Sequence, residues 1–263
     1  MNTEASQPIT VTIGHELVGT GSVHVVVMND WLCDTSTWDN ARPLLDLQRF
    51  TFSFADLRGY GRSKGRTGAF TIEEASGDVL ALADALGWSR FKVVGHSMSA
   101  LVALHLAQRH GARVERVVAL TPPPPTGFGA DEATLAASRA LALADDATRL
   151  AYLERRFGAR LSPGWTRYKA SKWGERADAV AAAGYVAMFA RDGLPDPCGR
   201  IAVPVLAITG EQDAPPMRAE AVRRALAPLC DQLEVRSIAE SGHYPMQELP
   251  PLTVALVERF LVG

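Results

Sequence analysis

Apolar positions along this chain follow two alternating periods. The opening stretch "ITVTIGHELVGTGSVHVVVM" (9–28) predicts three short strands punctuated at Gly14 and at the Gly19–Gly21 turn. The last of them, "HVVVM", is a continuous apolar run, the pattern of a strand buried on both faces. "TFSFAD" (51–56), "FKVV" (91–94), "VERVVALT" (114–121), "VPVLAITG" (203–210) and "QLEVRSI" (232–238) predict further strands. Between them the period changes to that of a helix. "TIEE" at Thr71 is a capping box, and Val79, Leu82, Ala83 and Leu86 follow at helical spacing. Helices are also predicted from Ser97 to His110, over about Met217–Ala227, and over "LTVALVERFLV" with Leu252, Leu256 and Phe260 on one face. Strands that alternate with helices make βαβ units, so the fold class is α/β with a mostly parallel, doubly wound sheet.

Four prolines, Pro122 to Pro125, interrupt that alternation. Residues 126–200 hold no convincing strand and are dominated by alanine-rich periodic segments such as "DEATLAASRALALA". Three or four helices are therefore expected as an insertion. The resulting division is a first core part (1–121), a helical cap (122–200) and a second core part (201–263).

Composition narrows the function classes. Of 263 residues, 47% are hydrophobic and the formal net charge is −2, with basic residues scattered along the chain. Nucleic acids and anionic membranes select a clustered basic face, so neither is expected as a partner. Cys33, Cys198 and Cys230 lie far apart without a C-x-x-C pair, which signals no zinc or redox site and suits a reducing compartment. The start "MNTEASQPIT" lacks a basic n-region and an apolar h-region, and no uncharged apolar run has membrane-spanning length. The expected setting is cytoplasmic, the expected partner a small-molecule substrate.

The stretch "FKVVGHSMSALVALHLAQRHG" places Ser97 where a strand turns into a helix. A serine there is a natural N-cap. It is also where a nucleophile sits on a strand-to-helix elbow, provided that an imidazole takes its proton and a carboxylate orients the imidazole. Later strand ends supply both groups. "EQDAPP" puts Asp213 just beyond "VPVLAITG", and "AESGHYPMQELP" puts His243 just beyond "QLEVRSI". Ligands of open α/β sheets bind outside the carboxyl ends of the strands, so three loops at one edge carry Ser, Asp and His. The other histidines (His15, His24, His105 and His110) read as structural, and His96 as support for the elbow.

With "GHSMS", the loop "DLRGYGRS" and the histidine loop "SGHYPMQELP", the chain resembles the α/β-hydrolase superfamily over nearly its whole length. The resemblance implies a catalytic triad of Ser97, Asp213 and His243 and no metal or organic cofactor. It further implies an oxyanion hole formed by the backbone N–H of Met98 and, from "MNDWLCDTSTW", that of Trp31, with Leu32 as the neighbouring alternative. Two departures stand out. Asn29–Asp30 replaces the usual His-Gly, and Asp30 is expected to bond within its own loop rather than enter the chemistry. Ser99 replaces the second elbow glycine, which resembles a subset that includes stress-signalling hydrolases and plant hormone receptors.

The leading expectation is a serine hydrolase of carboxylic esters or lactones, with an acyl-enzyme on Ser97. A ligand-sensing protein with slow hydrolysis, and an oxygenase or lyase that uses only the His-Asp dyad, remain alternatives. Trp165, Trp173, Phe128 and Tyr185 are candidates either for pocket lining or for the cap's own core.

Overall fold

A computed structural model describes residues 12–263. The strand expected ahead of Gly14 begins within residues 1–11 and so lies outside the described residues. Among the described residues seven strands form one sheet: β1 (His15–Val18), β2 (Val23–Met28), β3 (Phe50–Ala55), β4 (Phe91–His96), β5 (Val114–Leu120), β6 (Val205–Gly210) and β7 (Leu233–Ile238). Their spatial order is β1-β3-β2-β4-β5-β6-β7. Among these strands only β1 is antiparallel to its neighbour, pairing His15 with Ala55.

The sequence explains the burial. Val25–Met28 of β2 and all of β6 are inaccessible, as strands covered on both faces must be. The outer strand β7 is instead only half-buried along Leu233–Val235, with Arg236 and Ser237 exposed. Helix α2 (Met98–Arg109) packs on β4 and β5, and α1 (Ile72–Ala85) packs on α2. The capping box is present in a longer form: Thr71 Oγ1 accepts from Glu74 N–H at 3.2 Å, while Glu74 Oε2 reaches back to Phe70 N–H at 2.9 Å.

Four helices stand between β5 and β6: α3 (Glu132–Leu143), α4 (Asp146–Phe157), α5 (Pro163–Arg176) and α6 (Ala179–Ala187), the last running into a π-helical turn at Met188–Asp192. Each begins on its own cap, with Asp131, Asp145, Ser162 and Asp178 accepting a first-turn N–H. They pack in pairs, α3 on α6 and α4 on α5. The chain closes with α7 (Ala219–Leu226), the short α8 (Pro245–Glu248) and α9 (Pro250–Val262).

One expected face needs correction. In α9 the positions turned into the core are Val254, Val257 and Leu261, while Leu252 is 47% exposed and Leu256 and Phe260 lie at the margin. The segment is apolar around much of its circumference, so periodicity alone yields two candidate stripes, and packing against the sheet selects between them.

Candidate active site

Ser97 joins β4 to α2 with φ 54° and ψ −119°, a left-handed backbone that is strained for any residue with a side chain. The neighbouring ladder holds it there. Ser97 N–H donates to Leu120 O, and Ser97 O accepts from Ala100 N–H, each at 2.9 Å. Gly95 is required for space, since a Cβ there would stand 2.3 Å from Ser99 O. Ser99 fits the same tight turn by folding its hydroxyl onto His96, accepting from its N–H at 3.0 Å and donating to its C=O at 3.2 Å.

The Ser97 side chain does not cap α2. Its hydroxyl meets His243 Nε2 at 2.9 Å, and His243 Nδ1 meets Asp213 Oδ2 at 2.8 Å. The structure thus brings Ser97, His243 and Asp213 into one hydrogen-bonded line. With Nδ1–H donating to the carboxylate, the Nε2 lone pair faces the serine hydroxyl. Burial by itself pushes the Asp213 carboxyl upward, but His243, the Ala214 N–H and Arg156 together bring it below its ordinary range.

Neighbouring residues fix the histidine loop. Glu248, the acid of "SGHYPMQELP", accepts from the N–H groups on either side of His243: Gly242 at 2.7 Å and Tyr244 at 3.0 Å. Arg160, just beyond α4, pairs with the same carboxylate. The His243 carbonyl accepts from His96 Nε2–H at 2.7 Å and Thr121 Oγ1 at 3.3 Å. His96 therefore supports the histidine loop as well as the elbow. Gly210 lets the acid and histidine loops approach, since a Cβ there would lie 2.2 Å from Gly242 O.

The loop after β2 is the most unusual part. Asn29 ties it to the loop after β3, accepting from Leu57 N–H at 2.8 Å and donating to Asp30 O at 2.7 Å. Asp30, 1% exposed, takes the next donors in line: Leu32 N–H at 2.5 Å and Cys33 N–H at 2.9 Å. Leu32 N–H is thereby occupied. The N–H groups of Trp31 and Met98 donate to no acceptor among the described residues. Trp31 itself is fixed from two sides. Its indole N–H donates to Ala182 O of α6 at 2.8 Å, and its carbonyl accepts from Tyr60 Oη at 2.8 Å.

The counter-ion of Asp30 is Lys169 of α5, whose Nζ stands 3.2 Å from Asp30 Oδ2 and 3.3 Å from Thr37 Oγ1. Both side chains are 1% exposed, and the ammonium also lies 4.2 Å from the centre of the Tyr244 ring. Burial would raise the Asp30 carboxyl, but Lys169 and the Leu32 N–H overcome it and hold it far below the usual carboxylate range. Nothing in the sequence marks Lys169, because a lysine within "TRYKASKWGER" reads as a solvated helical residue.

A cavity of about 370 Å³ opens over Ser97 and His243. Trp31, Leu32, Phe128, Leu141, Phe157 and Phe189 give it apolar walls, and Tyr152 and Arg156 of α4 add polar ones. Of the four aromatic candidates, Phe128 lines this cavity. Trp173 and Tyr185 are core, packed on Trp31 and on Tyr60 respectively, and Trp165 lies against Phe157 and Tyr244. Two of the remaining histidines make structural contacts: His105 bonds Ser76 Oγ at 2.8 Å, and His24 stacks on Trp88.

Comparison with known proteins places this fold. In sequence, a segment of 113 residues, 41% of this chain and 40% of the relative, is 34% identical to a pimeloyl-[acyl-carrier protein] methyl ester esterase of Klebsiella pneumoniae (strain 342). In structure, the enol-lactonase of Burkholderia xenovorans LB400 superposes with TM-score 0.80 at 26% identity, covering 95% of this chain and 96% of that one. The esterase EaEST of Exiguobacterium antarcticum, at 15% identity, shares the fold with TM-score 0.82 and 95% coverage of both chains. The family model described as "alpha/beta hydrolase fold" matches residues 23–248, from β2 to the end of α8. The chain belongs to the alpha/beta hydrolase fold family.

Proposed function

We propose that this protein is a serine hydrolase that cleaves a carboxylic ester or lactone of a small molecule. The observation that carries the reading is the continuous line Asp213–His243–Ser97 at 2.8 and 2.9 Å, opening into a cavity. His243 Nε2 takes the Ser97 proton as Oγ attacks the carbonyl carbon, and Asp213 stabilises the imidazolium that forms. The carbonyl oxygen, now negative, is received by the Trp31 and Met98 N–H groups and by the positive end of α2. His243 then protonates the leaving alcohol, and an acyl-enzyme remains. Water activated by the same imidazole releases the acid. In a lactone the leaving hydroxyl stays attached to the product.

The ester and lactone chemistry of the relatives supports the same reading, as does the largely apolar cavity, which suits an uncharged acyl or alkyl group. Residues 122–200 act as a cap in this scheme, supplying α3, α4 and the π-helical turn as cavity walls. Among the described residues no helix is long and apolar enough to cross a membrane.

The test is reaction with a fluorophosphonate probe and peptide mapping, followed by a panel of esters and lactones. Ser97 is expected to carry the label, and Ser97→Ala to lower turnover by about 10⁴-fold or more. Substrate conversion that survives Ser97→Ala would instead assign the chemistry to the His-Asp dyad alone.

A further inference from the structure

We infer that Lys169 and Asp30 are a positioning pair that keeps the oxyanion hole both shaped and free of net charge, an inference that rests on the hydrolase reading above. Shape comes first. The Asp30 carboxylate binds the N–H groups of Leu32 and Cys33, turning the loop so that Trp31 N–H is left as the donor without a protein partner. Lys169 reaches Asp30 Oδ2 and Thr37 Oγ1 from α5, so the turn is pinned to a helix remote in sequence. Trp31 carries a second tie to the same insertion through Ala182.

Charge is the second part. A buried carboxylate borders the cavity that holds Ser97, where negative charge must develop on the substrate oxygen. In a site of low effective dielectric, an uncompensated anion there raises the energy of the transition state. The groups facing Asp30 are the Lys169 ammonium, the Thr37 hydroxyl, two backbone N–H groups and His96 Nδ1 at 3.5 Å. His96 donates its Nε2–H to the His243 carbonyl, because a carbonyl only accepts. Burial holds the imidazole below its ordinary pKa against the pull of Asp30. Lys169 is therefore the full positive charge among these neighbours.

An ion pair that merely stabilised the fold would respond alike to loss of either partner. A pair that discharges the oxyanion hole responds according to sign. Removing the cation leaves an anion beside the developing oxyanion, whereas removing the anion does not. The double change also has sound local chemistry: asparagine at position 30 keeps an acceptor for Leu32 and Cys33 and presents an amide donor to His96 Nδ1, which lacks a hydrogen bond.

The experiment compares wild type, Lys169→Met, Asp30→Asn and the double variant in turnover of p-nitrophenyl acetate, fluorophosphonate labelling and thermal unfolding. Lys169→Met is expected to lose about 10- to 100-fold in kcat with little change in KM. Its deficit shrinks as pH is lowered, because an unpaired Asp30 takes up a proton. Asp30→Asn stays within about threefold of wild-type kcat, and the double variant recovers to a similar level. Equal kcat losses in the two single variants, or unchanged kcat in a folded Lys169→Met, overturn the inference. Should Lys169→Met fail to fold, a tenfold or larger kcat loss in Asp30→Asn or in the double variant also overturns it. A wild type that neither labels nor turns over ester removes the hydrolase reading itself, a result distinct from these.

Discussion

Two buried carboxylates, Asp213 and Asp30, border this site and do opposite things with similar surroundings. Both are less than 5% exposed, and both are held below the ordinary carboxylate range. Asp213 faces an imidazole, a partner able to gain and lose a proton, so its charge is available to stabilise a transient cation. Asp30 faces an ammonium and two backbone N–H groups, so its charge is already spent on local structure. On the function proposed above, the counter-ion rather than the burial decides which buried acid takes part in chemistry.

The largest separation between the two is expected from amide substitution. Asp213→Asn leaves His243 without a carboxylate to select its tautomer, and kcat should fall by about 10⁴-fold in steady-state ester hydrolysis. The corresponding change at Asp30 is the mild one described above. Similar losses at the two sites would erase the distinction.

Glu248 tests how far the histidine loop depends on its own anchor. Glu248→Gln replaces one acceptor of the Gly242 and Tyr244 N–H groups by a donor and uncouples Arg160. A stability loss of about 1–3 kcal/mol is expected, read as a Tm lower by several degrees, with a kcat loss near tenfold. A kcat unchanged at the lower Tm would show that Asp213 and the two donors to the His243 carbonyl hold the ring unaided.

The smallest effect concerns acid. Both carboxylates have folded pKa values below the unfolded ones, so fewer protons are bound in the native state. Their stabilisation is therefore complete above about pH 5, and it is lost as pH falls below about 4 toward the depressed values. The double variant at positions 30 and 169 lacks the Asp30 contribution. Its Tm should decline less steeply between about pH 5 and pH 3 than that of wild type, measured by thermal unfolding across that range.

The two acids also differed in how readable they were. Asp213 and His243 could be located because each follows its strand within a few residues, and local apolar runs mark strand ends. The interior bonds of Asp30 are equally local, reaching only two and three residues ahead. Lys169 lies 139 residues from Asp30, and no local pattern tells a buried lysine from a solvated one. The same limit applies to α9, where the chain offers two apolar stripes and only the sheet decides which is covered. The helix start at Thr71 was legible because its side chain caps its own first turn. Cavity lining was not: Phe128 lines the cavity over Ser97, whereas Trp173 is buried in the core.

The bond from the Trp31 indole to Ala182 O has a consequence for modularity. An insertion that only shapes a pocket can be exchanged between scaffolds, with specificity travelling alongside it. Here the inserted helices hold a residue of the loop after β2 directly, so this insertion and this core are not interchangeable parts. A chimaera with a foreign insertion on this sheet would have to bring its own substitute for the Ala182 carbonyl, or rebuild the β2 loop to do without it.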